Sequence, residues 1–305
     1  MILVVTTNSH RYTHEKLRTV EGLDLKVVSY VELREPDPDR TATVIFTDID
    51  RLAPDLLLYM SKMYRNLRDA GHLVLNDPGR ALGRFGLLRA LNRAGINDFD
   101  CYRADELATP KRWPVFLRVE GNHGEPLTGL LESQKQLDAA IEEIRENGTP
   151  IKDLLIIEYL AEPVRPGLFR KLSVFKVGDR MIGFPCVHED NWLVKYGAPG
   201  LADDELYEED YGFVADNPFL PLMSRVFDIA RVNYGRVDFG LVGGRPQIYE
   251  INTNPDVKLR PRRNPSERRN QTIDLFREQY LDAMRAIGGG PPPQEALPRK
   301  HAGHI

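Results

Sequence analysis

Over the first hundred positions, short apolar runs alternate with longer amphipathic stretches. ILVVT at 2–6, LKVVSY at 25–30, TVIFTD at 43–48 and HLVLN at 72–76 are too short for helices and rich in β-branched residues, so they predict four strands. Asp77-Pro78-Gly79 stops the fourth. Residues 11–19, 53–70 and 80–93 read as helices, the last ending before Gly95. Strands apolar on both faces and separated by helices predict a parallel sheet covered on both sides.

Beyond residue 110 the pattern changes. Strands are expected at 113–120 and 153–160, with a helix at 133–146 opened by Ser133 and closed before Asn147-Gly148. Residues 171–185 predict a hairpin turned at Gly178-Asp179. Residues 236–252 predict a second, turned at Gly243-Gly244. Helices are expected at 217–232 and 267–286. Hairpins packed by helices make this half an α+β body, against the α/β first hundred residues. The Gly- and Pro-rich end lacks the apolar content for a core, which makes His301 and His304 incidental.

Composition narrows the function classes. A chain of 305 residues, 42% hydrophobic and 28% charged, is globular, and its net charge of -4 gives no general attraction to nucleic acid or anionic membrane. No apolar run approaches the ~20 residues of a membrane span. The opening MILVVTTNSHRY lacks a basic start and a long apolar stretch, so it reads as a core strand rather than a signal peptide. Cys101 and Cys186 form no metal or redox spacing and fit thiols of a reducing compartment, the cytoplasm.

The turn after the first strand, TTNSHRY, has no glycine, which weakens a dinucleotide-binding reading. Chemistry concentrates instead in GRVDFGLVGGRPQIYEINTNPD, residues 235–256. Asp238 lies on one arm of the predicted hairpin. Glu250 and Asn252, two apart on the other arm, point the same way. Two facing carboxylates are costly unless a cation sits between them. Hard oxygen donors of this kind suit Mg²⁺ shared with nucleotide phosphates, with Mn²⁺ as an alternative. Asn254 orients a ligand or holds the turn, and Asp256 caps or reacts.

The order 238-DF-239 then 250-EINTNP-255 resembles the metal-binding segment of the ATP-grasp superfamily, in particular its glutathione-synthetase-like and ribosomal-S6-modification-like carboxylate–amine ligases. The resemblance covers about residues 75–285. It implies an N-terminal parallel-sheet α/β domain (1–95), a lid subdomain (96–165), a C-terminal ATP-grasp subdomain (166–287) and a flexible tail (288–305). It also implies ATP held between the two subdomains, an acylphosphate intermediate and amide or peptide bond formation with release of ADP and phosphate. Small-molecule or peptide carboxylates and amines are the implied substrates, with no nucleic acid or membrane partner. A homodimer is the commonest assembly for such a chain.

Residue by residue, Arg118 stands where the family carries a phosphate-contacting lysine, before the loop Gly121, His123 and Gly124 that would close over phosphates. Arg84 stands where an earlier nucleotide-contacting lysine would be, or is a helical surface charge. The backbone of Glu158, Tyr159 and Leu160 resembles the adenine-reading segment. Glu162 holds a ribose hydroxyl or is a solvated acid. Ser173 replaces an arginine frequent in relatives, two positions after Lys171. Lys195 and Arg236 are the candidates for stabilising charge on the transferring phosphoryl group. His123 reads as a loop residue rather than a general base. The two arginines in place of lysines motivate an alternative, an ATP-grasp-like nucleotide binder with altered or lost ligase activity. A small-molecule kinase is a further alternative. Residues 7–11, 48–51 and 76–80, at strand ends of the first sheet, are where a substrate would be selected.

Overall fold

The strands β1 (Ile2–Thr6), β2 (Leu25–Ser29), β3 (Thr43–Phe46) and β4 (Leu73–Leu75) form an all-parallel sheet in the order β2-β1-β3-β4. The computed structural model describes residues 1–34, 42–257 and 264–289. Every residue of β1 and β3 is buried, as continuous apolar runs require of strands covered on both faces. The predicted first helix is only one turn, α1 (Tyr12–Glu15), flanked by 3-10 turns. The helix α2 (Pro54–Asp69) covers one face and packs Met60, Met63 and Leu67 against Leu3, Val5, Val44 and Phe46. On the other face, Ile2, Val4 and Ile45 join the largest core of the molecule, together with Phe175, Tyr234, Phe276 and Tyr280. That core therefore runs without a break from the parallel sheet into the C-terminal half.

The chain continues through α3 (Arg84–Arg93), β5 (Cys101–Arg103), β6 (Val115–Val119), α4 (Gln134–Glu146) and β7 (Leu154–Glu158). The three strands form an antiparallel sheet ordered β5-β7-β6. One face packs on α4 through Val115, Leu117, Leu137, Leu154 and Ile156. The other gathers Leu88 of α3 with Phe99, Leu155 and Ile157, with Phe116 and Tyr249 packed alongside. The β5 strand is absent from the sequence reading because three residues carry no usable period.

The second antiparallel sheet contains β8 (Phe169–Val177), β9 (Arg180–Glu189), β10 (Tyr234–Val242) and β11 (Arg245–Asn252), ordered β11-β10-β8-β9. Both hairpins turn at the predicted glycines, Gly178 and Gly243-Gly244, all in the left-handed region. The first hairpin extends past Pro185 to Glu189 through a register shift, which accommodates a proline inside a strand. The helices α5 (Asp204–Ala215), α6 (Leu220–Ala230) and α7 (Glu267–Gly288) complete the layer. The predicted tail from residue 290 onward, with His301 and His304, lies outside the described residues.

Both cysteines are buried and unpaired, and burial pushes the Cys101 thiol up to about 12, consistent with inert packing groups. Among the described residues no helix is long and apolar enough to cross a membrane.

Candidate functional site

A cleft with about 850 Å³ of space, its open mouth included, lies between the two antiparallel sheets. One end is lined by Phe99, Phe116, Ile157, Leu160, Phe169 and Trp192. The other end carries Arg84, Arg118, Lys171, Asp238 and Glu250. The loop after β9 brings Trp192 over this apolar end, 5.2 Å from the Phe116 ring and edge-on to Tyr159 at 5.4 Å.

The polar end is built by the β10–β11 hairpin. Asp238 pairs directly with Glu250, and Arg236 with Asn252, so all four side chains share one face. Val237 and Phe239 point to the opposite face and are fully buried. A register shift at Asp238/Phe239 leaves Tyr249 without a cross-strand partner. This bulge lets adjacent residues Tyr249 and Glu250 both line the cleft, which a regular strand forbids. The Tyr249 phenol fills the space where a side chain on Gly240 would stand, a Cβ there lying 3.1 Å from Tyr249 Cζ and closer still to its hydroxyl. The glycine of the DFG triplet is thus required by close approach rather than by its backbone angle.

Each carboxylate is held by cations of the protein. Arg236 donates to Asp238 through Nε at 2.6 Å and Nη2 at 2.9 Å, and Lys171 Nζ lies 3.3 Å from Asp238 Oδ2. Arg84 pairs with Glu250, and Asn252 donates to the same carboxylate at 3.2 Å. Burial opposes ionisation of Asp238, but Arg236 and Lys171 outweigh it and hold the carboxyl below its ordinary range. Burial likewise opposes ionisation of Glu250, and Arg84, Arg118, His123 and Lys171 hold it far below. Both groups stay anionic, with more cations around them than two carboxylates require.

Asp238 and Glu250 line the cleft and are hard oxygen donors of the kind Mg²⁺ takes, while Asn252 lies off the lining. Among the described residues no three His, Cys, Asp or Glu side chains gather as a metal site. Two carboxylates and one amide leave positions for phosphate oxygens and water, as Mg²⁺ sites with nucleotides usually do.

The remaining sequence candidates divide by position. Arg84 opens α3, is 8% exposed, and also donates to the carbonyls of Glu120 at 2.6 Å and Asn122 at 3.1 Å. Arg118 donates to the carbonyls of Asn122 and Gly124, and burial together with Arg84 lowers it to about 10. These two arginines hold the 121–124 loop and also line the cleft. Gly121 approaches the Asp50 carbonyl closely, a Cβ there standing 3.1 Å away, while Gly124 donates to Asn122 Oδ1 at 2.7 Å. His123 Nε2 meets Asp50 Oδ2 at 2.5 Å and its Nδ1 lies 4.0 Å from Glu250. The loop is therefore docked on the end of the parallel sheet.

The Glu158 side chain is buried and accepts four bonds, from the amides of Asp100, Lys111 and Arg112 and from the Tyr102 hydroxyl. Its backbone, with Tyr159 and Leu160, lines the cleft. Glu162 also lines the cleft, and accepts from the Gly243 amide at 2.6 Å. Lys195 does not line it, and its ammonium lies 5.1 Å over the exposed Tyr196 ring. Arg236 is off the lining as well, stacked 5.4 Å over Phe184. At the first sheet, Asp48 is tied to Thr7, His10 and Arg51.

No protein-family model matches the chain, and no curated protein matches it. Solved structures do. A D-alanine–D-alanine ligase from Coxiella burnetii superposes with a TM-score of 0.54 at 12% identity, covering 94% of each chain. The ATP-grasp ligase PsnB, solved with a minimal precursor, gives 0.50 at 13% identity, covering 91% of this chain and 99% of its own. The chain has the ATP-grasp fold. Its parallel N-terminal sheet and two downstream antiparallel sheets are the mixed α/β and α+β architecture expected from the sequence. In the ATP-grasp frame, the residues that sequence reasoning passed over are Tyr249, Phe99, Phe169 and Trp192, with Lys171 noted but given no role. Tyr249 depends on the bulge and Trp192 on an irregular loop, neither of which leaves a periodic signal. Lys171 was accessible through strand parity with Ser173, which pairs with Asp238.

Proposed function

We propose that the protein is an ATP-dependent carboxylate–amine ligase acting through an acylphosphate. The observation that carries this reading is the Asp238–Glu250 pair, facing across one hairpin at the cationic end of a cleft whose other end is aromatic. The fold adds support, since both structural neighbours named above are ligases by name.

In this reading the aromatic end takes adenine between Phe116, Trp192 and Tyr249. The backbone at Glu158, Tyr159 and Leu160 meets the base edge, and Glu162 faces the ribose. Asp238, Glu250 and Asn252 would hold Mg²⁺, which would supply positive charge to offset that of the nucleotide phosphates. Arg84 and Arg118 approach the phosphates from the lid side, while Arg236 fixes the Asp238 carboxylate. A substrate carboxylate oxygen bonds to the γ-phosphorus as the bond to the bridging oxygen breaks and ADP leaves. An amine nitrogen then attacks the acyl carbon, the bond to phosphate breaks, and the amine gives up a proton. The Gly121–His123–Gly124 loop, docked on Asp50, excludes water that would hydrolyse the acylphosphate. Lys195 reaches the phosphate end only after leaving the Tyr196 ring.

ATP turnover with Mg²⁺ across pooled amino acids and small peptides tests this, with products separated into ADP plus phosphate and AMP plus pyrophosphate. Substrate-dependent ADP that is lost in Asp238→Ala and Glu250→Ala variants is expected. AMP formation contradicts the mechanism. The ion pairs occupying both carboxylates favour a second reading, a nucleotide binder without ligation, which predicts ATP binding with no turnover in any pool. A small-molecule kinase predicts ADP formation with a hydroxyl acceptor and no amine incorporated.

A further inference from the structure

We propose that Lys171 is the mobile phosphate-binding cation of this site, seated on Asp238 when no nucleotide is present and passing to the terminal phosphate when ATP enters. The inference rests on the nucleotide-binding part of the reading above. Two cations hold Asp238, and they differ in how firmly they do so. Arg236 grips both carboxylate oxygens at 2.6 and 2.9 Å, stacks on Phe184 and lies off the cleft lining. Its fork is fixed, so its service is to orient Asp238.

Lys171 lines the cleft and, among the described residues, makes only long polar contacts, 3.3 Å to Asp238 Oδ2 and 3.5 Å to the Lys195 carbonyl. An ammonium has three donors on a flexible stem, so these contacts leave it able to move. A divalent ion on Asp238 would displace it by like-charge repulsion, and the incoming phosphate is the nearest anion to receive it. Lys195, the lysine favoured by sequence position, does not line the cleft and rests on Tyr196. Strand register explains the substitution of one for the other. Ser173 pairs with Asp238 across β8 and β10, and Lys171, two residues earlier on β8, projects from the same face.

The test compares ATP, ADP and AMP affinities by titration calorimetry in Mg²⁺, without acceptor substrates, for the wild type, Lys171→Met and Lys171→Arg. Wild type is expected to prefer ATP to ADP. Lys171→Met should lose that preference by about tenfold or more, leave AMP affinity unchanged, and bind Mn²⁺ more tightly in the absence of nucleotide by spin resonance, because the competing ammonium is gone. Lys171→Arg should recover part of the ATP preference. A purely structural lysine would weaken all three nucleotides and the metal together, and that outcome overturns the proposal. So does an unchanged ATP preference in Lys171→Met alongside normal wild-type binding, which leaves the ligase reading standing. A wild type that binds no nucleotide removes both. Unchanged AMP affinity in the variant also certifies its fold.

Discussion

At the residue scale, the site depends on groups whose role is to make room or to hold others. Gly240 shows this most simply. Its missing side chain is the volume the Tyr249 phenol occupies, and Tyr249 is the bulge residue that lets Glu250 face Asp238. Gly240→Ala is expected to cost about 1–3 kcal/mol, the usual penalty of overpacking, because Tyr249 or the hairpin must shift. Adding Tyr249→Phe should recover part of that loss by removing the atom nearest the new methyl. Denaturant unfolding of the single and double variants checks this, and equal destabilisation in both would show that the phenol is not the obstacle. Glu158 makes the complementary point. Its backbone is the nucleotide candidate by resemblance, while its carboxylate accepts from four donors that shape the end of β7.

At the element scale, the two halves of the molecule are stapled by amides. Asn76, just past β4, donates to the carbonyls of Phe46 and Tyr234 and accepts from the amides of Asn233 and Tyr234, so one side chain joins the parallel sheet to β10. Its own backbone sits at φ 62°. Asn76→Ala should destabilise by about 3 kcal/mol or more, since buried backbone groups are left unpaired. Asn76→Gly should be about 1 kcal/mol less damaging, since glycine tolerates that angle. A loss below about 1 kcal/mol for both would deny the staple. From the sequence, residues 76–80 are expected to line a ligand crevice, and within them the Asn76 side chain joins the two sheets. Strands β1 to β4 and β6 to β11 were legible because their apolar runs and turn glycines are strong local signals. Helix α5 was not, because its buried Leu206, Tyr207, Phe213 and Val214 are interrupted by acids, one of which, Asp210, is itself buried. Its Asp203 cap, accepting from the Leu206 amide at 3.1 Å, was the available clue. The two acids were legible from their order on the arms of the hairpin, but not their facing: an unbroken register across the turn sets Tyr249, not Glu250, opposite Asp238. The bulge, the docked loop and the placement of Lys171 are tertiary facts that no local pattern carries.

At the scale of the whole molecule, α1 is tied to the C-terminal body through a buried chain. His14 Nε2 meets the Tyr234 hydroxyl at 2.7 Å, which meets the Tyr280 hydroxyl at 2.8 Å, and Thr13 donates to Asn254 at 2.8 Å. Burial lowers His14 from 6.5 to about 4, against the smaller raising effect of the Asn254 side chain. The unfolded chain therefore takes up this proton near pH 6.5 while the folded protein does not, so stability falls as pH drops below that value and levels off below about pH 4. His14 alone should cost about 2 kcal/mol by pH 5 relative to neutral pH. Buried His188, lowered by the same cause, adds in the same sense. Unfolding free energies measured between pH 7.5 and 5 check this, and a flat profile there would contradict it. In the proposed function, the Asp238–Glu250 cleft transfers the γ-phosphoryl group of ATP to a carboxylate. The most direct measurement supplies ¹⁸O-labelled carboxylate substrates with ATP and Mg²⁺ and follows the label by mass spectrometry. One labelled oxygen carried into the released phosphate, with ADP as coproduct, is the expected result; turnover that yields only unlabelled phosphate would contradict the account.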